Sequence, residues 1–468
     1  MVFSSLTFLY LFLPVVLIFY YLVPKQARNF VLFVSGFVFY AWGEPVYIFL
    51  MTFTVLVDYT CGRVMTRFDA NQKARLAVLL ASIIVNLSIL AVFKYNSFVV
   101  QNLNDLFGLT ISDPKIALPI GISFYTFQSM SYTIDLYRRN VPEQKSFVDY
   151  AAYVSMFPQL VAGPIVRYGD VQRELQQRRV SVLNLGEGAG MFIQGLAKKV
   201  LIANNVGSLW TRVKEIPASE LSVTTAWFGI LAFTMQIYFD FSGYSDMAIG
   251  MGRMLGFRFP KNFDFPYVSK SVTEFWRRWH MTLGTWFREY VYIPLGGNRK
   301  GALRMVLNLL IVWMLTGLWH GASWNFVLWG LYYGILLMIE KLFLLKVLGK
   351  IPFSITRVYT FILVVLGWVL FEFTDISQAL AYYGAMFGTQ GRAVADGTFI
   401  YLLSSYGVVF VISLILSTDW LHKLSKRVSR SRPAVANVIA IVLQVIMVLL
   451  CTAYLVDATY NPFLYFRF

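Results

Sequence analysis

The fold class is indicated most clearly by residues 305–337, MVLNLLIVWMLTGLWHGASWNFVLWGLYYGILL. This run contains no Asp, Glu, Lys or Arg and is long enough to lie in a lipid bilayer. The run contains His320, within the phrase Gly-Leu-Trp-His-Gly-Ala-Ser-Trp. A second histidine, His280, ends the phrase Glu-Phe-Trp-Arg-Arg-Trp-His, and the chain has only 3 histidines. An ionisable side chain in an apolar span is costly and indicates a functional site. We therefore expect these two histidines to carry proton chemistry within the membrane.

The composition of the whole chain agrees with a membrane protein. Hydrophobic residues make up 58% and charged residues 14%, against about 45–50% and 25% in soluble domains. We predict an all-α polytopic integral membrane protein with about 10–12 transmembrane helices, together with re-entrant and interfacial helices. The apolar segments lie near 3–23, 30–43, 45–62, 76–93, 118–135, 147–165, 186–205, 222–250, 305–318, 323–345, 355–373, 399–418 and 434–456.

The net charge of +16 is concentrated in a few basic stretches. The positive-inside rule and contact with anionic lipid explain most of them. Residues 251–304 differ, because their basic side chains alternate with Phe, Trp and Tyr, and we expect a basic amphipathic segment on the cytoplasmic side. No soluble basic domain is predicted, so nucleic-acid binding is not expected. With only 2 cysteines, neither a disulfide framework nor a cysteine-rich metal site is expected.

The spacing around each histidine predicts its surroundings. Residues 273–290 have the pattern of an amphipathic helix in which Trp276 and His280, four residues apart, share one face. Arg277 and Arg278 would then point to solvent or to lipid headgroups. Small residues at 317 and 321 leave room beside His320 for another helix or for a substrate channel. A buried histidine is neutral and can act as a general base, although a packed, purely structural histidine is the alternative. His422, at a basic membrane edge, is expected to be interfacial.

Several longer motifs occur in a fixed order along the chain. They are Met-Val-Phe-Ser-Ser at the start, LPIGISFYTFQSMSYTIDLYR at 118–138, FPQLVAGP at 157–164, GLAKKVLIAN at 195–204, QIYFDFSGYSDMAIG at 236–250 and the two histidine phrases. With these motifs the chain resembles the membrane-bound O-acyltransferase family, in its bacterial alginate O-acetyltransferase-like subgroup. By this resemblance His320 matches the active-site histidine of the family and His280 the second histidine of the subgroup.

The resemblance implies an O-acetyltransferase that carries acetyl from cytoplasmic acetyl-CoA across the bacterial inner membrane to an exported exopolysaccharide, of the alginate or bacterial cellulose type. It implies one domain, 1–468, with a transmembrane tunnel and without a metal. Arg277 and Arg278 would bind the donor. The residues expected to line the tunnel or to support the histidines are Gln236, Asp240, Ser242, Tyr244 and Trp319. Periplasmic acetyltransferase proteins and an exopolysaccharide synthesis complex are the expected partners.

The C-terminal tail, 461–468, is rich in aromatic residues and is expected on the outer side. Insertion into the headgroup region is one interpretation. By resemblance, Tyr465 lies in a C-terminal motif whose tyrosine accepts the acyl group before passing it on, which would make Tyr465 catalytic.

Two other functions remain open. Buried polar residues, interrupted helices and a basic face also fit a transporter or flippase for a lipid-linked saccharide. D-alanyl transfer to a cell-wall polymer is the other alternative.

Overall fold

In the computed structural model, which describes residues 1–161 and 163–457, every regular element is helical. The α-helices, in chain order, are α1 Leu13–Leu22, α2 Arg28–Gly43, α3 Ile48–Arg67, α4 Gln72–Leu90, α5 Asn96–Phe107, α6 Ile122–Tyr137, α7 Phe147–Ser155, α8 Phe157–Leu160, α9 Tyr168–Gln177, α10 Val182–Ala197 and α11 Asn204–Lys214. They continue with α12 Val223–Met254, α13 Val272–Arg278, α14 Met281–Phe287, α15 Ala302–His320, α16 Trp324–Ile339, α17 Leu345–Leu348, α18 Phe353–Glu372, α19 Ile376–Met386, α20 Gly397–Leu416, α21 Trp420–Ser431 and α22 Pro433–Asp457.

Short π-helical stretches extend or join several of these helices. They are Phe8–Phe12 before α1, Ala91–Tyr95 between α4 and α5, Lys198–Ala203 between α10 and α11, Arg288–Tyr292 after α14, and Glu340–Leu344 between α16 and α17. Short 3₁₀ turns occupy Lys25–Ala27, Pro266–Val268 and Thr389–Gly391.

Six helices of the described chain are long and apolar enough to cross a bilayer. They are Ile48–Arg67, Gln72–Phe107, Ala302–His320, Phe353–Glu372, Gly397–Leu416 and Pro433–Asp457. The apolar helix Phe8–Leu22 is shorter. Other segments expected to span form helices too, but α2 has 16 residues and α7 has 9, against the ~20 that a straight crossing needs. The polytopic, all-helical prediction is thus confirmed, with fewer full-length spans than the 10–12 expected.

The chain forms two compact units. Among the described residues, the first consists of Met1–Phe192 and Ser245–Lys261, and the second of Ile193–Tyr244 and residues 262–457. The first unit is built around α2 with α7 and around α3, α4 and α6. The second has a core rich in aromatic side chains and contains both histidines of interest.

Helices α15 and α16 of the second unit approach each other very closely. A Cβ atom added at Gly317 would lie 2.2 Å from the Phe326 carbonyl oxygen, and one at Gly330 would lie 2.3 Å from that of Trp313. Only glycine permits such an approach of two backbones. The space predicted at position 317 is therefore filled by a neighbouring helix. The space at Gly321 is filled by the Phe326 ring, 2.2 Å from an added Cβ.

Candidate active site

Helix α13 carries several of the predicted site residues, and its start is firmly held. The Ser271 hydroxyl accepts a hydrogen bond from the Glu274 backbone N–H at 3.0 Å, as expected of a helix N-cap. The buried Glu340 carboxylate accepts from the backbone N–H groups of Val272 and Thr273, each at 2.7 Å. A carboxylate at a helix N-terminus satisfies free N–H groups and complements the helix dipole. Sequence reasoning did not single out Glu340.

The helix expected over 273–290 is interrupted at the histidine. Helix α13 ends at Arg278 and α14 begins at Met281. His280 lies between them with φ 43° and ψ 53°, the left-handed region that a non-glycine residue adopts at an energetic cost. The prediction that Trp276 and His280 share one helix face is therefore wrong, because the backbone turns before His280. Further along the segment, Gly296 and Gly297 form a turn in which both glycines have positive φ.

Asn262 holds His280 in this conformation. Its backbone carbonyl accepts from the Met281 N–H at 2.9 Å, and its side-chain Oδ1 accepts from the Thr282 N–H at 3.2 Å. Because a backbone N–H can only donate, the second contact identifies Oδ1 as the amide oxygen. His280 Nδ1, 3.1 Å from the same Oδ1, must then carry a proton, so that in the neutral imidazole the lone pair is on Nε2. Asn262 is fully buried and fixes the tautomer of His280.

Burial keeps the His280 imidazole neutral. The side chain is 2% exposed, and its ring packs edge-on against Phe241 of α12 at 4.7 Å between centroids. Burial lowers the pKa of His280 to about 3, because the charged imidazolium is poorly solvated there. A neutral imidazole with its lone pair on Nε2 is the form in which histidine accepts a proton.

His280 lines a cavity of about 430 Å³ within the second unit. Arg277, Arg288 and Lys341 also line it, whereas no Asp or Glu is among the described residues of its wall. Aromatic rings form another part of the wall, and Trp276 and Trp313 stand 4.6 Å apart between ring centroids. The cavity thus combines excess positive charge, flat apolar surface and a neutral imidazole.

His320 ends α15 and is 4% exposed. Its ring is surrounded by aromatic side chains, with centroids 5.0 Å from Trp319, 5.0 Å from Trp329 and 5.2 Å from Phe371. Trp319 also contacts His280, at 5.8 Å between ring centroids. One indole therefore touches both imidazoles. His320 is not among the residues that line the 430 Å³ cavity.

The two arginines expected to bind the donor have different surroundings. Arg277 lines the cavity. Arg278 instead pairs with Glu274, 2.8 Å between Nη2 and Oε1, and donates to the Asp264 carbonyl at 3.0 Å. The spacing of Glu274 and Arg278, four residues apart on a helix, was a visible signal for that ion pair. Arg288 and Lys341 are the cavity cations that sequence reasoning missed.

The polar residues predicted along 236–246 are buried in α12. They are Gln236 at 3% exposure, Asp240 at 2%, Ser242 at 0% and Tyr244 at 1%. Asp240 forms a buried ion pair with Lys199, 2.7 Å between Oδ1 and Nζ. The α12 residue that packs on His280 is the apolar Phe241. His422 is exposed on α21, and Tyr465 lies outside the described residues.

Comparison of the sequence with known proteins identifies its family. A model of the membrane-bound O-acyltransferase family matches residues 34–371. The chain is 42% identical over 391 residues to a probable alginate O-acetylase of Pseudomonas aeruginosa, covering 83% of this chain and 75% of that protein. It is 33% identical over 427 residues to a peptidoglycan O-acetyltransferase of Helicobacter pylori, covering 84% and 80%. A teichoic acid D-alanyltransferase of Streptococcus thermophilus is 28% identical over 246 residues, covering 48% and 58%.

The chain therefore belongs to the membrane-bound O-acyltransferase family. It is a multi-pass membrane protein and an acyltransferase, and as such it uses an acyl donor. In the described part of the chain, no three His, Cys, Asp or Glu side chains come together in a way that would hold a metal ion.

Proposed function

We propose that this enzyme transfers acetyl from cytoplasmic acetyl-CoA to an exported exopolysaccharide, with His320 as the active-site base and His280 assisting. The cavity of the second unit carries the proposal, because it sets His280 beside three cationic side chains and an aromatic wall, and Trp319 packs against both His280 and His320. A CoA ester presents the matching chemistry: anionic phosphates for Arg277, Arg288 and Lys341, and a flat adenine for the rings.

The proposed reaction moves the acetyl group through Tyr465. His320 accepts the phenolic proton as the tyrosine oxygen attacks the thioester carbonyl, and CoA leaves as its thiolate. A hydroxyl of the acceptor then attacks the acetyl-tyrosine ester and restores the phenol. Such an ester is activated, since its leaving group has a pKa near 10. Trp319, which touches both imidazoles, would keep the two histidines in a fixed relative position.

The relatives support an exopolysaccharide as the acceptor. A probable alginate O-acetylase at 42% identity favours O-acetylation of an exopolysaccharide over D-alanyl transfer, whose relative matches at 28% over less of the chain. We place the enzyme in the inner membrane, with the basic segment 251–304 in the cytoplasm. It would hand acetyl to the polymer or to a periplasmic acetyltransferase partner within an exopolysaccharide synthesis complex.

Histidine variants test the base. His320→Ala should lower polymer O-acetylation in cells by about 10²–10⁴-fold, the loss that follows removal of a positioned general base. His280→Ala should be similarly damaging. His422→Ala removes the exposed histidine and should retain activity. Near wild-type acetylation by His320→Ala, at equal protein level in the membrane, would contradict the proposal.

A tyrosine variant tests the covalent step. Tyr465→Phe removes the phenolic oxygen only, so it should abolish polymer acetylation while acetyl-CoA still binds. Full activity in this variant would exclude the acyl-tyrosine step and leave the aromatic tail as a membrane contact.

A further inference from the structure

The first unit contains an arginine-lined pocket that the acyl-transfer chemistry does not use. Its volume is about 210 Å³. It is formed by the end of α9, the start of α10 and the turn that follows α12. The lining residues are Glu174, Gln177, Arg178, Arg179, Asn184, Arg253, Gly256, Phe257 and Arg258. Four guanidinium groups thus face one lining carboxylate.

The positive charge of this pocket is only partly neutralised. Among the four arginines, Arg253 has its charge balanced by an ion pair, which it forms with Glu187. Arg179 and Arg258 are exposed and make no side-chain hydrogen bond or ion pair within the described part of the chain. Several like charges gathered in one concave site repel each other unless an anion binds between them.

Arg178 shows that the pocket is built rather than incidental. Its Nη1 donates to Asn29 Oδ1 at 2.6 Å, and its guanidinium lies 4.9 Å from the centre of the Phe257 ring. It also donates through Nε to the Tyr20 hydroxyl at 2.5 Å. These contacts fix the guanidinium plane, yet Nη2 is buried without a hydrogen-bond partner among the described residues. A buried charged donor left unmatched costs free energy, which a bound acceptor would recover.

We propose that this pocket binds a phosphate group, either of an anionic phospholipid headgroup or of a soluble phosphate. Arginine forks match the paired oxygens of a phosphate, and the side chains of Gln177 and Asn184 add neutral donors. The turn that closes the pocket needs Gly256, whose φ is +87° and whose added Cβ would lie 3.1 Å from the Arg179 carbonyl oxygen. The pocket lies in the first unit and the acyl-transfer cavity in the second, so this proposal does not depend on the donor assignment.

The test uses the full-length protein in neutral detergent. Its thermal unfolding is followed while inorganic phosphate, phosphatidylglycerol or phosphatidylcholine is added. Arg179→Gln combined with Arg258→Gln removes the two exposed, unpaired cations and leaves the structural contacts of Arg178 intact. Arg427→Gln combined with Arg430→Gln removes the same charge from exposed positions on α21 and is the matched control.

Phosphatidylglycerol should raise the unfolding temperature of the wild type and of the control, whereas phosphatidylcholine should not. The Arg179/Arg258 variant should bind at least about tenfold more weakly, the effect expected for each lost guanidinium–phosphate contact. If inorganic phosphate also stabilises the protein, a soluble phosphate is a sufficient ligand. If phosphatidylglycerol stabilises the protein and inorganic phosphate does not, the ligand is the lipid headgroup. The proposal is overturned if neither inorganic phosphate nor phosphatidylglycerol stabilises the wild type. It is also overturned if the control variant loses as much affinity as the Arg179/Arg258 variant.

Discussion

Among single residues, Asn262 has the clearest structural role, because it fixes the orientation of His280. The contact of Asn262 Oδ1 with the Thr282 N–H fixes the amide orientation and therefore the histidine tautomer. The sequence alone predicted His280, because a rare histidine framed by tryptophans in a hydrophobic chain is conspicuous. It could not predict Asn262, which lies 18 residues earlier in an irregular segment and carries no spacing signal.

The asparagine can be tested by truncation. Asn262→Ala removes Oδ1 but keeps the backbone carbonyl that binds Met281, so the turn should survive while the imidazole loses its orientation. We expect the acyl-transfer rate to fall by about 10²-fold, as for a misplaced catalytic group. Asn298→Ala, at an exposed position, is the control. Unchanged rates in Asn262→Ala, measured with purified protein, would show that the tautomer is irrelevant.

The burial of His280 leads to a prediction about the pH dependence of activity and stability. Its pKa of about 3 in the folded protein lies below the ordinary value of 6.5, so the side chain stays neutral from pH 5 to 8. The profile of kcat/KM should therefore show no acid limb near pH 6.5 that arises from this residue. Since the unfolded histidine does bind a proton, the stability it contributes is present above pH 6.5 and falls as the pH drops toward 3. An acid limb near 6.5 that disappears in His280→Gln would contradict this assignment.

At the scale of elements, the pair α15–α16 positions His320, and its close approach depends on glycine. Gly317→Ala would place a methyl group 2.2 Å from the Phe326 carbonyl oxygen, and the backbone cannot yield as a side chain would. We expect a loss of about 1–3 kcal/mol in stability, the typical cost of overpacking, together with reduced activity. Gly407→Ala on α20 is the matched control, because its added Cβ meets only Leu403 side-chain atoms, the nearest at 3.5 Å. Equal unfolding temperatures for the two variants would contradict this account of the helix contact.

The elements also show where pattern reasoning stops. The small residues at 317 and 321 indicated either another helix or a substrate channel beside His320, and the structure has α16 at Gly317 and the Phe326 ring at Gly321. The same reasoning failed over 273–290, since periodicity cannot reveal a turn at one left-handed residue that a distant asparagine stabilises. It also did not predict the ion pair between Glu274 and Arg278. The hydrogen bond from the Thr273 N–H to Glu340 has no signal in the local pattern, because Glu340 lies 67 residues further along the chain.

At the scale of the whole molecule, topology follows from charge. The basic segment 251–304 and the basic helix α21 are both expected in the cytoplasm. Helix α20 is the candidate span between Thr374 and α21, so Thr374 is expected on the opposite side. In a variant with Cys61→Ser and Cys451→Ser, a cysteine introduced as Arg299→Cys should react with a membrane-impermeant maleimide only after the membrane is permeabilised. Thr374→Cys, just after α18, should react without permeabilisation. The opposite pattern would place the cavity on the outer side.

We propose that this acyltransferase takes acetyl from acetyl-CoA with His320 as the base. The most direct measurement is single-turnover release of CoA from acetyl-CoA by purified protein in proteoliposomes, comparing the wild type with His320→Ala. We predict rapid CoA release by the wild type and a rate lower by about 10²-fold or more in His320→Ala, with donor binding retained. A wild type that leaves acetyl-CoA intact, as a saccharide flippase would, or a His320→Ala variant that releases CoA at the wild-type rate, would contradict the account.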